Sequence, residues 1–130
     1  MNKRKKGNKY ETEVQRFFEN QGYIIHRARS SGFKSGNRFL SRSNDVFGVF
    51  DLIAKKKDKQ TVWIQVSTGS RYAEKIKKIK ALGNIWNVLD TIQIWLRYKN
   101  KKYKIYHIEP YKNKEEKYEI VLNNKEVNMT

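Results

Sequence analysis

The sequence predicts a single α/β domain: a mixed central β-sheet flanked by two helices. Three observations carry this. Two amphipathic segments each end at a glycine, β-branched and aromatic runs lie between and after them, and the length of 130 residues suits one domain rather than two. A chain of this size buries roughly two thirds of its unfolded surface. Its 38% hydrophobic content, with 3 Trp, 8 Tyr and 6 Phe, supplies a core and argues against a disordered tail.

The elements follow in order. Tyr10, Val14, Phe17, Phe18 and Gln21 recur at helical spacing, and Gly22 stops them. Tyr23–Arg27 reads as a strand. Residues 28–44, rich in Ser, Gly and Arg, read as a long, mobile basic loop. Val46–Ala54 is a near-continuous apolar run whose second half reads as a strand. Residues 55–60 form a polar turn, and Thr61–Ser67 a second strand, giving a hairpin. Ser70–Leu82 reads as helix: Ser70 caps it, Ala73, Ile76, Ile79 and Leu82 form its stripe, and Gly83 ends it. Thr91–Tyr98 and Tyr103–Glu109 are two further strands, and Pro110 stops the second. Lys117–Leu122 reads as a short extra strand. On this reading residues 1–9 are a basic N-terminal arm, and an acidic C-terminal tail begins at about 111.

Charge narrows the function. Lys plus Arg number 29 against 13 Asp plus Glu, for a net charge of +16 and a pI near 10.0. This points to a polyanionic partner, with nucleic acid ahead of an acidic membrane surface. The first hundred residues hold most of the basic clusters. No cysteine is present, which excludes disulfides, cysteine-liganded metal and cysteine nucleophiles. No apolar run spans a bilayer and no apolar stretch backs the basic N-terminus, so the expectation is a cytoplasmic, non-membrane protein. No Gly-rich phosphate loop is present.

One residue stands out chemically. Asp51 lies within an apolar run, between Phe50 and Leu52, where burying a charge is costly unless it is paired or metal-bound. With the hairpin turn centred near Asp58, Asp51 falls opposite Gln65, and Ser67 lies two residues further on the same face. Carboxylate, amide and hydroxyl oxygens at that spacing suit Mg²⁺. Asp45, at the end of the basic loop, is either a further ligand or an ordinary loop cap. Glu11 and Glu13 flank the apolar stripe of the first helix, and periodicity does not separate them.

The ordered set Gly7-x-x-x-Glu11, Gly22-Tyr-Ile-Ile-x-Arg27, Phe50-Asp51-Leu-Ile-Ala54 and Ile64-Gln65-Val66-Ser67 resembles the PD-(D/E)XK nuclease superfamily. Within it, the chain is most similar to Holliday-junction resolvases of archaeal and viral type. The resemblance covers about residues 3–109 and implies a restriction-endonuclease-like core. It also implies a Mg²⁺-dependent endonuclease (Mn²⁺ substituting) that cuts four-way DNA junctions as a homodimer. Carried over by residue, Glu11 and Asp51 match metal-holding acids. Gln65 stands where the family has an acid, and Ser67 where it has a lysine. Lys9 and Lys55 are candidate replacements for that lysine. Arg27 matches a DNA-contacting basic residue. Lys5, Lys6, Lys9, Arg29, Lys34, Arg38, Arg42 and Arg71 are the other expected DNA contacts. Two alternatives stay open: a nuclease-fold DNA-binding protein that has lost catalysis, and a restriction- or homing-type endonuclease or nickase.

Overall fold

The computed structural model describes residues 3–28, 31–35, 38–42, 46–47, 49–68 and 72–122. Side chains are described for 9–28, 46–47, 49–68 and 73–122. The chain is α/β: a six-stranded mixed sheet of order β1-β4-β5-β6-β7-β8, two helices and a separate two-stranded ribbon, β2–β3. No helix among the described residues is long and apolar enough to cross a membrane.

Helix α1 spans Lys3–Glu19. It absorbs most of the segment expected to be a basic arm. Lysine and arginine are good helix formers, but they bury nothing, so they extend a helix without extending its apolar stripe. Gly22, at φ +91°, ends the turn, and Tyr23 N–H reaches back to the Phe18 carbonyl at 3.1 Å. Strand β1 (Ile24–Arg27) forms one sheet edge.

The segment expected to be a loop contains the ribbon: β2 (Ser31–Ser35) pairs antiparallel with β3 (Arg38–Arg42). Its Ser/Gly composition hides any period-2 alternation. The available signal was Gly36-Asn37, a dipeptide suited to a two-residue hairpin turn. Those two residues lie outside the described ones.

Strands β4 (Leu52–Lys55) and β5 (Thr61–Thr68) form the expected hairpin, with Leu52 opposite Ile64 and Ala54 opposite Val62. Helix α2 (Tyr72–Ala81) then carries the chain to β6 (Asp90–Lys99), which runs parallel to β5; a parallel pair requires such a crossover. Ile79 is buried, Ile76 and Leu82 pack partly against the core, and Ala73 is exposed rather than part of the stripe. Ser70, the expected cap, lies outside the described residues. Strand β7 (Lys102–Glu109) follows, then a single 3-10 turn at Pro110–Lys112.

The expected acidic tail is largely an edge strand, β8 (Lys114–Val121), paired along its length with β7. Its mixed Lys and Glu residues suit an exposed edge that must not pair with other chains, and they also obscure its strand character in the sequence.

The sheet is covered on both faces. On one, Val14 and Phe18 of α1 pack on Leu52, Ala54, Val62, Ile64, Trp95, Tyr103 and Ile105. On the other, Ile79 of α2 joins Val49, Phe50, Ile92, Ile94, Leu96 and Ile108. Alternation along β5 therefore sends Ile64 towards α1, and Gln65 to the opposite side.

Tyr103 ties α1 to the sheet centre. It is fully buried, and its hydroxyl donates to Glu13 at 2.5 Å. Arg97 pairs with the same carboxylate at 3.4 Å and lies over the Tyr10 ring at 3.9 Å. Burial first, then the bond to Glu13, raises the Tyr103 hydroxyl above its ordinary value of 10.0. A raised folded-state pKa means stability that is complete below pH 10 and declines as pH rises towards that folded value. Tyr103→Phe is expected to cost about 1.5–3 kcal/mol at neutral pH, the range for a hydrogen bond to a charged group. It should also remove a slope of about 1.4 kcal/mol per pH unit above pH 10. Urea unfolding of both proteins across alkaline pH checks this; parallel curves would contradict it.

Candidate active site

Asp51 is delivered by a tight local fold. Val46 and Phe50 exchange backbone hydrogen bonds of 2.9 and 3.0 Å, and Phe47 takes a positive φ of 55° between them. This turns Val49 and Phe50 into the α2-side core and leaves Asp51 immediately before β4. Asp51 N–H donates to the Ile64 carbonyl at 2.8 Å, and its own carbonyl accepts from Ala28 N–H at 2.8 Å. The residue is thus held between β1 and β5, at the strand's start rather than within it. Even so it is only 7% exposed.

The carboxylate is satisfied by β5. Asp51 Oδ2 accepts from Val66 N–H at 2.8 Å and from Gln65 Nε2 at 3.3 Å. Gln65 is itself buried, and Ser67 Oγ donates to its Oε1. The expected convergence of Asp51, Gln65 and Ser67 is therefore present. The Gln65 amide is oriented by its neighbours. Its Nε2 faces two acceptors, Asp51 Oδ2 and the Val66 carbonyl at 3.2 Å. Two acceptors thus face the donor end, and Gln65 is a hydrogen-bond partner of Asp51 in this arrangement.

Glu11 and Glu13 separate cleanly. Glu13 belongs to the Tyr103–Arg97 cluster. Glu11 pairs with Arg27 Nε at 3.4 Å, and the same guanidinium donates to Thr12 Oγ1 at 2.8 Å and Gln15 Oε1 at 3.4 Å. Arg27 pairs with Leu52 across β1–β4, the neighbour of Asp51. The Glu11–Arg27 pair therefore lies on the α1 side of the sheet and Gln65 on the other side; the two are linked only through the backbone at the end of β1, where Ala28 N–H meets the Asp51 carbonyl. Thr12 and Gln15, which orient Arg27, carried no signal in the sequence beyond their helical spacing from Glu11.

The lysine candidates fare differently. Lys55 pairs with Ile24 at the far end of β4, four residues and about 13 Å from Asp51, so it does not supply the missing cation. Lys9 is exposed on α1, two residues and roughly 200° around the helix from Glu11. Arg27, opposite Leu52, is engaged by Glu11, Thr12 and Gln15 of α1. Asp45, Arg29 and Arg71 lie outside the described residues. For Lys5, Lys6, Lys34, Arg38 and Arg42 only the backbone is described.

Among the described residues no group of three or more His, Cys, Asp and Glu side chains forms a metal site. The oxygen donors at Asp51 and Ser67 nevertheless have the hard chemistry that Mg²⁺ takes, and that ion commonly binds one or two carboxylates and keeps several waters. Asp51 is the charged member of such a set. The chain matches no family model, no curated protein and no solved structure.

Proposed function

We propose that the protein is a metal-dependent endonuclease acting on structured DNA, with four-way junctions as its substrate. The observation that carries this reading is the buried Asp51 carboxylate, held against Gln65 and Ser67, in a chain of net charge +16. The element order supports a restriction-endonuclease-like core: a helix, strands carrying the candidate acid, a crossover helix, then further strands. Bound Mg²⁺ would supply the Lewis acid that phosphodiester hydrolysis uses. Asp51 would hold it, and Val66 N–H and Gln65 would fix the orientation of Asp51. Symmetric cutting of a junction calls for a twofold homodimer.

The ribbon is the natural DNA-contacting element. A two-stranded β-ribbon fits the major groove, and this one carries Lys34, Arg38 and Arg42. The double substitution Arg38→Ala with Arg42→Ala should weaken junction binding and reduce its log–log salt slope by about 2, one for each phosphate no longer neutralised. Fluorescence anisotropy at several salt concentrations measures this, and an unchanged slope would remove the ribbon from the interface.

A second reading is favoured by one observation. Gln65 and Ser67, the residues bonded in series to the Asp51 carboxylate, carry no charge. A DNA-binding protein without catalysis accounts for this. Incubating the protein with labelled four-way, flap and linear duplex DNA in Mg²⁺ and in Mn²⁺ separates the readings. The nuclease reading expects preferential cutting of the four-way substrate. Preferential cutting of linear duplex points to a restriction- or homing-type enzyme instead.

A further inference from the structure

Away from Asp51, the last turns of α1 and the open half of the sheet line a half-open cavity of about 410 Å³. It lies on the α1 face, and Val62 on β5 lines it, three residues and about 10 Å from Gln65. Its volume is within the range of small-molecule sites, which are mostly apolar with a few placed polar groups. Phe17, Tyr23 and Trp95 supply aromatic wall, and Gln21, Gln93 and Tyr118 supply polar groups.

The polar groups are not all spent. The donor end of Gln93 is spent: its Nε2 lies 3.0 Å from His107 Nδ1 and 3.3 Å from the Tyr118 hydroxyl, while its Oε1 accepts from Trp95 Nε1 at 2.8 Å. In that arrangement the Tyr118 oxygen accepts, which leaves its hydrogen to be donated elsewhere. Gln21 Nε2 is buried and has no hydrogen-bond partner among the described residues. A buried donor left unmade costs about 1–3 kcal/mol, which an acceptor placed in the cavity would recover.

A carboxamide offers a donor and an acceptor side by side, the complement of the edge of a purine or pyrimidine. Aromatic walls suit the flat face of the same ring. Lys59, exposed and lining the cavity, provides positive charge for an attached phosphate. We propose that this cavity is a nucleobase-binding site, with Gln21 and Tyr118 reading the edge of the base. The base can belong to a free nucleotide or to an unpaired position of a bound strand. The inference stands apart from cleavage at Asp51.

The test is a ¹⁵N–¹H NMR titration of the full chain with adenosine 5′-monophosphate, thymidine 5′-monophosphate and a short oligothymidine, with ribose 5-phosphate as the base-free control. The expected result is movement of the Gln21 side-chain amide and the Trp95 indole N–H. Gln21→Leu, which keeps the bulk of the side chain, and Tyr118→Phe should each weaken binding by about 10-fold, the value of one hydrogen bond. Movement with the mononucleotides marks a free ligand, and movement with the oligomer alone marks an unpaired base. Asp51→Ala should leave the titration unchanged. Unmoved signals with all three base-containing probes overturn the proposal. So do equal shifts with ribose 5-phosphate, or undiminished affinity in both Gln21→Leu and Tyr118→Phe.

Discussion

Replacing Trp95 by alanine is expected to remove about 3–5 kcal/mol of folding stability. Trp95 is 1% exposed and sits where α1 meets the sheet. Its ring lies 5.1 Å from Phe17, 5.7 Å from Phe18 and 5.4 Å from Tyr103, centroid to centroid. Truncation removes these packing interactions together and opens a void that flanking aromatic rings refill poorly. It also takes the indole N–H away from Gln93 Oε1. Against a total stability of about 5–15 kcal/mol this is at least about a fifth of the whole. The melting temperature should fall by roughly 10–20 °C, as read by circular dichroism. Trp95→Phe keeps much of the volume and should lose less than half as much. A loss below about 1 kcal/mol for Trp95→Ala would mean that α1 is not anchored through this residue.

The second large effect concerns chemistry. Asp51→Ala should reduce junction cleavage by at least about 100-fold, because loss of an outer-shell partner of a metal already costs about 10–100-fold and Asp51 is proposed as the charged ligand itself. The substitution also leaves Val66 N–H and Gln65 Nε2 without their shared acceptor, so some stability is lost as well. Asp51→Asn separates the two effects. It retains an oxygen for Val66 N–H, and so the fold, but removes the negative charge. Its cleavage should be as low as that of Asp51→Ala, with junction affinity within a few-fold of the parent. Cleavage by Asp51→Asn at the parent rate would move the chemistry elsewhere.

Much of this was legible because burial leaves a periodic trace. Val14, Phe18 and Gly22 announce α1, and the turn at Asp58 sets a register that brings Asp51 to Gln65. What was hidden buries little. The first turns of α1 are lysine and arginine, the ribbon is serine, glycine and arginine, and β8 mixes opposite charges. None of these shows an apolar face, so composition alone gave an arm, a loop and a tail. The site was hidden in another respect. Sequence spacing puts Gln65 beside Asp51 but does not say which end of an amide faces the carboxylate; that depends on the Val66 carbonyl. Likewise, the roles of Glu11 and Glu13 divide only once Arg27 and Tyr103 are seen to claim one each.

The central claim is that the Asp51 cluster cuts DNA rather than merely residing in a protein that binds it. Single-turnover incubation of the protein with an end-labelled four-way junction, across a titration of Mg²⁺ and of Mn²⁺, tests it most directly. Cutting is expected to rise with metal concentration and to stop when a chelator is added. Saturable junction binding with no cutting in either cation would contradict it and leave the fold as a DNA-binding scaffold.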